Sequence, residues 1–94
     1  MYSAHKEMKS MTEMELKLFL LRYNMLSKRE STAAYMCLQA GESMYCNAEW
    51  SRCVDEMIEI SSYLRKHGYE LAYADVKTAG EIEYDVYKIV HIGE

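Results

Sequence analysis

The chain has 94 residues, 15 acidic against 11 basic, for a net charge of −4, and half of it is nominally apolar. That is enough for one small core and excludes a multidomain enzyme. The apolar half is unusual in kind: Leu, Ile, Val and Phe supply 18 residues, while Met and Tyr supply 17. Both types bury well, but Met adapts its shape and Tyr brings a hydroxyl that needs a partner, so both also suit contact surfaces.

The acidic balance lacks the basic excess of a domain whose affinity comes from neutralising phosphates, which disfavours nucleic acid as a partner. No apolar run has the pattern of a signal peptide or a membrane span, so a cytoplasmic location is expected. Three cysteines, Cys37, Cys46 and Cys53, are odd in number and fit reduced core thiols better than a disulfide framework. Their spacing offers none of the short ligand pairs of structural zinc sites, so no metal and no other cofactor is expected.

Residues 1–11 are polar and without a clear period, which predicts a flexible N-terminal arm, with residues 12–94 forming a single domain. Thr12 followed by Glu15 is a capping box, and Met11 with Leu16 adds a hydrophobic staple. A first helix is expected over 13–26, burying Met14, Leu18, Leu21 and Met25, with Phe19, Leu20 and Leu26 widening the stripe. Ser27-Lys28-Arg29-Glu30 repeats the capping pattern. A second helix is therefore predicted to start there, turn Ala33, Ala34, Cys37 and Leu38 inward, and end at Gly41. Asn47 is a good N-cap and Gly68 a good C-terminal stop for a third helix, in which Trp50, Cys53, Met57, Ile60 and Leu64 share one face. Arg65, Lys66 and His67 then oppose its dipole, so His67 reads as a helix-end cation and not as a base. Beyond Gly68 the period falls from 3.6 to 2, and a β-hairpin is expected over 69–76 and 82–92, turning at Lys77-Thr78-Ala79-Gly80.

The predicted class is α+β: three helices followed by a C-terminal hairpin. That order, with the run from Ile60 through Leu64-Arg65-Lys66-His67-Gly68-Tyr69 to Leu71 and the strand Tyr84 to Val90, resembles the small winged helix-turn-helix proteins often carried by bacteriophages. The resemblance covers about residues 13–92 by element order and 60–90 by residue pattern. It implies a winged-helix-like domain with the third helix in a DNA groove and the hairpin as a wing. The segment between the second and third helices is longer than the tight turn of that motif.

The charges point elsewhere. Residues 48–94 carry a net −5 and residues 1–47 a net +1, so the half that the resemblance would lay on DNA repels it. Carboxylates read only the cytosine amino group, so so many of them are no specificity device. Asp55, Glu56, Glu59, Asp75, Glu81, Glu83 and Tyr84 instead suit a basic protein surface. The expected function is a non-enzymatic inhibitor or adaptor, phage-like and directed at a host defence or transcription protein, presenting that acidic, Tyr-rich face to a basic nucleic-acid-binding partner. The alternative is a winged-helix DNA-binding transcription regulator using Lys28, Arg29, Arg52, Arg65, Lys66 and Lys77, alone or as a homodimer. A plain oligomerisation module, resting on the Met and Tyr excess, is a third class. The glycines form no phosphate-cradling loop, and no histidine stands near a cysteine or serine in a catalytic pattern, so no enzyme is expected.

Overall fold

A computed structural model describes residues 11–92. The elements are α1 (Glu13–Ala40), a short 3-10 turn (Met44–Cys46), α2 (Ala48–Lys66), β1 (Tyr69–Ala79) and β2 (Ile82–His91). The flexible-arm expectation falls on residues 1–10, outside the described residues, and on Met11, which packs against the core.

Two α-helices stand where three were expected. The chain from Glu13 to Ala40 is one helix of 28 residues. Its start is the capping box: Glu15 N–H donates to Thr12 Oγ1 at 3.1 Å and Thr12 N–H to Glu15 Oε1 at 2.8 Å. The second box at Ser27 does not cap anything. Ser27 is buried, and its hydroxyl donates across 58 residues to the Asp85 carbonyl at 2.6 Å. No Gly or Pro interrupts residues 13–40, so a Ser satisfied by a tertiary bond leaves nothing to stop the helix. Gly41, at φ 72°, ends it, and the Gly41 and Glu42 amides close onto Leu38 and Cys37.

α2 follows expectation at both ends. Asn47 Oδ1 accepts from the Trp50 amide at 2.8 Å, and the left-handed Gly68, at φ 88°, turns the chain out of the helix into β1. It runs antiparallel to α1, as Arg29–Glu49, Arg22–Glu56 and Phe19–Tyr63 show in descending order along α1. Cys53, Ile60 and Leu64 of α2 are buried against Leu26 of α1 and Tyr69 of β1, with Phe19, Tyr23, Met57, Leu71 and Ile89 packed around them.

β1 and β2 pair antiparallel from Tyr69↔His91 to Ala79↔Ile82, with a bulge between Tyr73 and Asp75. Along β2 the half-buried positions are Ile82, Tyr84 and Val86 toward the tip, then Tyr87 and Ile89 toward the base, where Val90 is half-buried as well. Alternation along a strand is strict, so this change means that the ribbon turns its other face to the helix as it passes. The bulge on β1 sits opposite the change and increases the twist. Midway, α1 meets the edge of β2. Asn24 Nδ2 donates to the Tyr87 carbonyl at 3.1 Å, the Tyr87 amide donates back to Asn24 Oδ1 at 2.8 Å, and Ser27 holds the Asp85 carbonyl. The helix thus covers one edge of a two-stranded sheet.

Three inward assignments are corrected. Met14, Leu18, Leu21 and Met25 stand 63, 58, 61 and 52 % exposed, Leu38 is also exposed, and so is Cys46. The first helix carries apolar residues on nearly every side, and α2 and the hairpin take the side of Leu16, Phe19, Tyr23 and Leu26. Leu38 lies past the reach of α2, and Cys46 sits in the linking turn.

Candidate interaction surface

The acidic residues of α2 and the hairpin, together with Glu30 of α1, fall into those engaged within the chain and those left exposed. Glu56 points to α1, where Arg22 Nε and Nη2 grip its two oxygens at 2.7 and 2.8 Å. The bidentate hydrogen bonds and the charge of Arg22 hold the Glu56 carboxyl below its usual range, and the Arg22 guanidinium is raised in turn. Glu49 is lowered in the same way, by hydrogen bonds from Arg29 at 2.7 Å and Arg52 at 3.2 Å. Glu70 pairs with Arg65 at 3.2 Å. Glu81 accepts from the Tyr35 hydroxyl, a bond that raises the Tyr35 pKa. Glu30 accepts from Trp50 Nε1 at 2.7 Å.

Asp55, Glu59, Asp75, Glu83 and Asp85 form the second group: exposed, with no ion pair among the described residues. Asp55 and Glu59 are one helical turn apart on α2, so they share a face. On the hairpin the pairing register separates the rest. Glu83 opposite Thr78 and Asp85 opposite Val76 project from one face, while Asp75 opposite Val86 and Tyr84 opposite Lys77 project from the other. Tyr84 is half-buried, with Lys28 Nζ 5.7 Å from its ring centroid. Asp75 bonds locally, accepting the Val76 amide at 2.7 Å. The seven expected contact residues therefore do not form one patch. Glu56 and Glu81 are engaged within the chain, and Asp75 and Tyr84 lie on the opposite side of the ribbon from Glu83.

The basic set is more fully engaged. All four arginines of the chain, Arg22, Arg29, Arg52 and Arg65, bind carboxylates. Lys28 lies over Tyr84, and Lys66 and Lys77 are exposed without an ion pair among the described residues. Compared with protein-family models, curated proteins and solved structures, the chain matches none.

Sequence reasoning missed Arg22, because nothing in its neighbourhood announces a partner 34 residues away. It also missed an open groove between α1 and the start of α2, of about 630 Å³, lined by Met25, Lys28, Arg29, Thr32, Ala33, Met36, Asn47 and Glu49. The signal was present: Met14, Met25 and Met36 recur every eleven residues, which keeps them in one line along a straight helix. Burial pushes the Cys53 thiol up, with the Glu49 carboxylate adding to the shift, so at neutral pH it stays protonated and a poor nucleophile. Among the described residues no three His, Cys, Asp or Glu side chains stand together as metal ligands, and no helix is long and apolar enough to cross a membrane.

Proposed function

We propose that the protein is a non-enzymatic binding protein that acts through an acidic surface on a basic, nucleic-acid-binding partner. One observation carries this reading: every arginine is matched to a carboxylate of its own chain, while Asp55, Glu59, Glu83 and Asp85 are exposed with no ion pair among the described residues. Among the described residues outside ion pairs, carboxylates outnumber the exposed lysines, so the outward field is net negative. Such a surface steers toward Lys- and Arg-rich grooves, while each arginine that a DNA reader would use for guanine or phosphate already faces a carboxylate that repels phosphate. The contact set differs from the one the sequence alone indicates: Asp55 and Glu59 on α2 and Glu83 on the hairpin are kept, and Asp85, on the same face as Glu83, is added. The winged-helix likeness keeps α2 followed by the ribbon as its support, without the two separate helices that precede them in that fold.

The reading is tested by titrating the protein against a panel of purified host DNA- and RNA-binding proteins at rising salt, with Asp55→Lys/Glu59→Lys/Glu83→Lys in parallel. Binding that weakens steeply with salt and disappears in the variant is expected. Equal binding by the variant overturns the electrostatic reading. A salt-sensitive mobility shift on duplex DNA by the unmodified protein would replace it with the transcription-regulator reading.

A further inference from the structure

Helix α1 has two apolar faces, and among the described residues only one of them is covered. Leu16, Phe19, Tyr23 and Leu26 meet α2 and the hairpin. Met14, Leu18, Leu21 and Met25 are more than half exposed, although they recur at steps of four, three and four. That spacing is the seam of a coiled coil. The four side chains together expose roughly 400 Å² of apolar surface, within the range of the largest patch on a typical soluble chain, which is often functional.

We propose that this seam pairs α1 with α1 of a second copy of the chain, in an antiparallel coiled coil whose two-fold axis passes between Leu18 and Leu21. Under that symmetry Leu18 meets Leu21 of the second copy, and Met14 meets Met25, so one surface complements itself. Two such faces bury about 800 Å² from the seam alone, and the stems of Glu15, Lys17 and Arg22 carry the total past the roughly 1,000 Å² of a specific interface.

Charge selects the direction. Glu15 and Arg22 flank the seam on one side and Lys17 flanks it on the other. A parallel pair sets Lys17 beside Arg22 of the other copy twice over, cation against cation. An antiparallel pair sets Glu15 beside Arg22 twice over. Both groups have capacity left: Arg22 uses Nε and Nη2 on Glu56 and keeps Nη1, while Glu15 uses Oε1 on the Thr12 amide and keeps Oε2. The next seam positions are Lys28 and Thr32. A parallel pair in register would set Lys28 against Lys28, whereas in the antiparallel pair Lys28 lies beyond the start of the second helix. This pairing uses a different face from the acidic surface and does not rest on the function proposed above.

Sedimentation equilibrium over a concentration series should give twice the 11.0 kDa chain mass, and Leu18→Glu/Leu21→Glu should give the single mass with an unchanged circular dichroism spectrum. Both positions are solvent-exposed in the single chain, so the substitution does not disturb its core. Direction is read without charged substitutions, in a Cys46→Ser background, by mild oxidation. Met14→Cys mixed with Met25→Cys should cross-link, and Met14→Cys alone should not. A monomeric mass at every concentration overturns the pairing and leaves the seam to a different protein. A dimer that survives the double Glu variant, or self-cross-linking of Met14→Cys, overturns the seam or its direction.

Discussion

Arg22 and Glu56 show how a single pair changes the meaning of a charge count. On α2, Glu56 looks like part of an acidic face with Asp55 and Glu59, yet its two oxygens are held by one guanidinium from α1. Its carboxyl is lowered from the usual 4.5, as is that of Glu49 between Arg29 and Arg52. A carboxyl whose folded pKa lies below its unfolded value adds stability at all pH above the unfolded value and loses it as pH falls through the folded one. Acid should therefore weaken the α1–α2 contact from just below 4.5 downward. Glu56→Gln, which keeps the shape and removes the charge, should lower the urea midpoint at neutral pH and converge with the parent protein once the pH has fallen below the lowered folded pKa of Glu56. An offset that stays constant as the carboxyl is protonated would mean that the ion pair is not what Glu56 contributes. Asp55 and Glu59, which lack such partners, remain the better residues for external contact.

Among the elements, the hairpin shows what local sequence does and does not encode. Its strands were legible in the period-two alternation after Gly68, although β1 runs on through Lys77, Thr78 and Ala79, where the turn was expected, and α2 was legible in Asn47 and in the spacing of Cys53, Ile60 and Leu64. The two-helix reading of residues 13–40 failed at Ser27 because an N-cap serine and a mid-helix serine look alike until the distant carbonyl of Asp85 is in place. The inward face of α1 was misassigned for a related reason: a helix with apolar residues on several sides does not say which side its own chain will cover. The acidic site was legible as a tally of charges but not as a surface, since its partition depends on arginines far away in sequence. What fastens the ribbon to α1 is equally nonlocal. Asn24 pairs with both backbone groups of Tyr87, taking the place of a third strand. Asn24→Ala leaves a half-buried amide and carbonyl unpaired and should cost about 1–3 kcal/mol in urea unfolding. Hydrogen exchange at the Tyr87 amide should accelerate with it, while the circular dichroism of the helices stays the same. Unaltered exchange at Tyr87 would show that the hairpin is held by its apolar face alone.

The described residues are drawn out to 61 × 25 × 19 Å with a radius of gyration of 16.1 Å, where a compact globule of this size would have about 12 Å. Stability in such a shape is distributed along the long axis. The large buried side chains, Leu26, Ile60, Leu64 and Tyr69, gather where α2 ends and the hairpin begins, beside the first half of α1. Past Ala33 the helix buries only Cys37, and from Tyr73 to Thr78 every residue of β1 is exposed. Few apolar contacts and solvent-facing backbone bonds define the end that opens first. Exchange should accordingly proceed in order: amides of residues 76–84 and of the last turns of α1 first, those of 53–64 and 16–26 last, at a rate set by global unfolding. The fast group should open with little dependence on urea, because little surface is exposed, and the slow group with the full dependence of the unfolding transition. A single shared rate and urea dependence for both groups would mean that the ribbon and the far half of α1 fold as one cooperative unit with the core, and that the clamp by Asn24 and Ser27 transmits its stability to the tip.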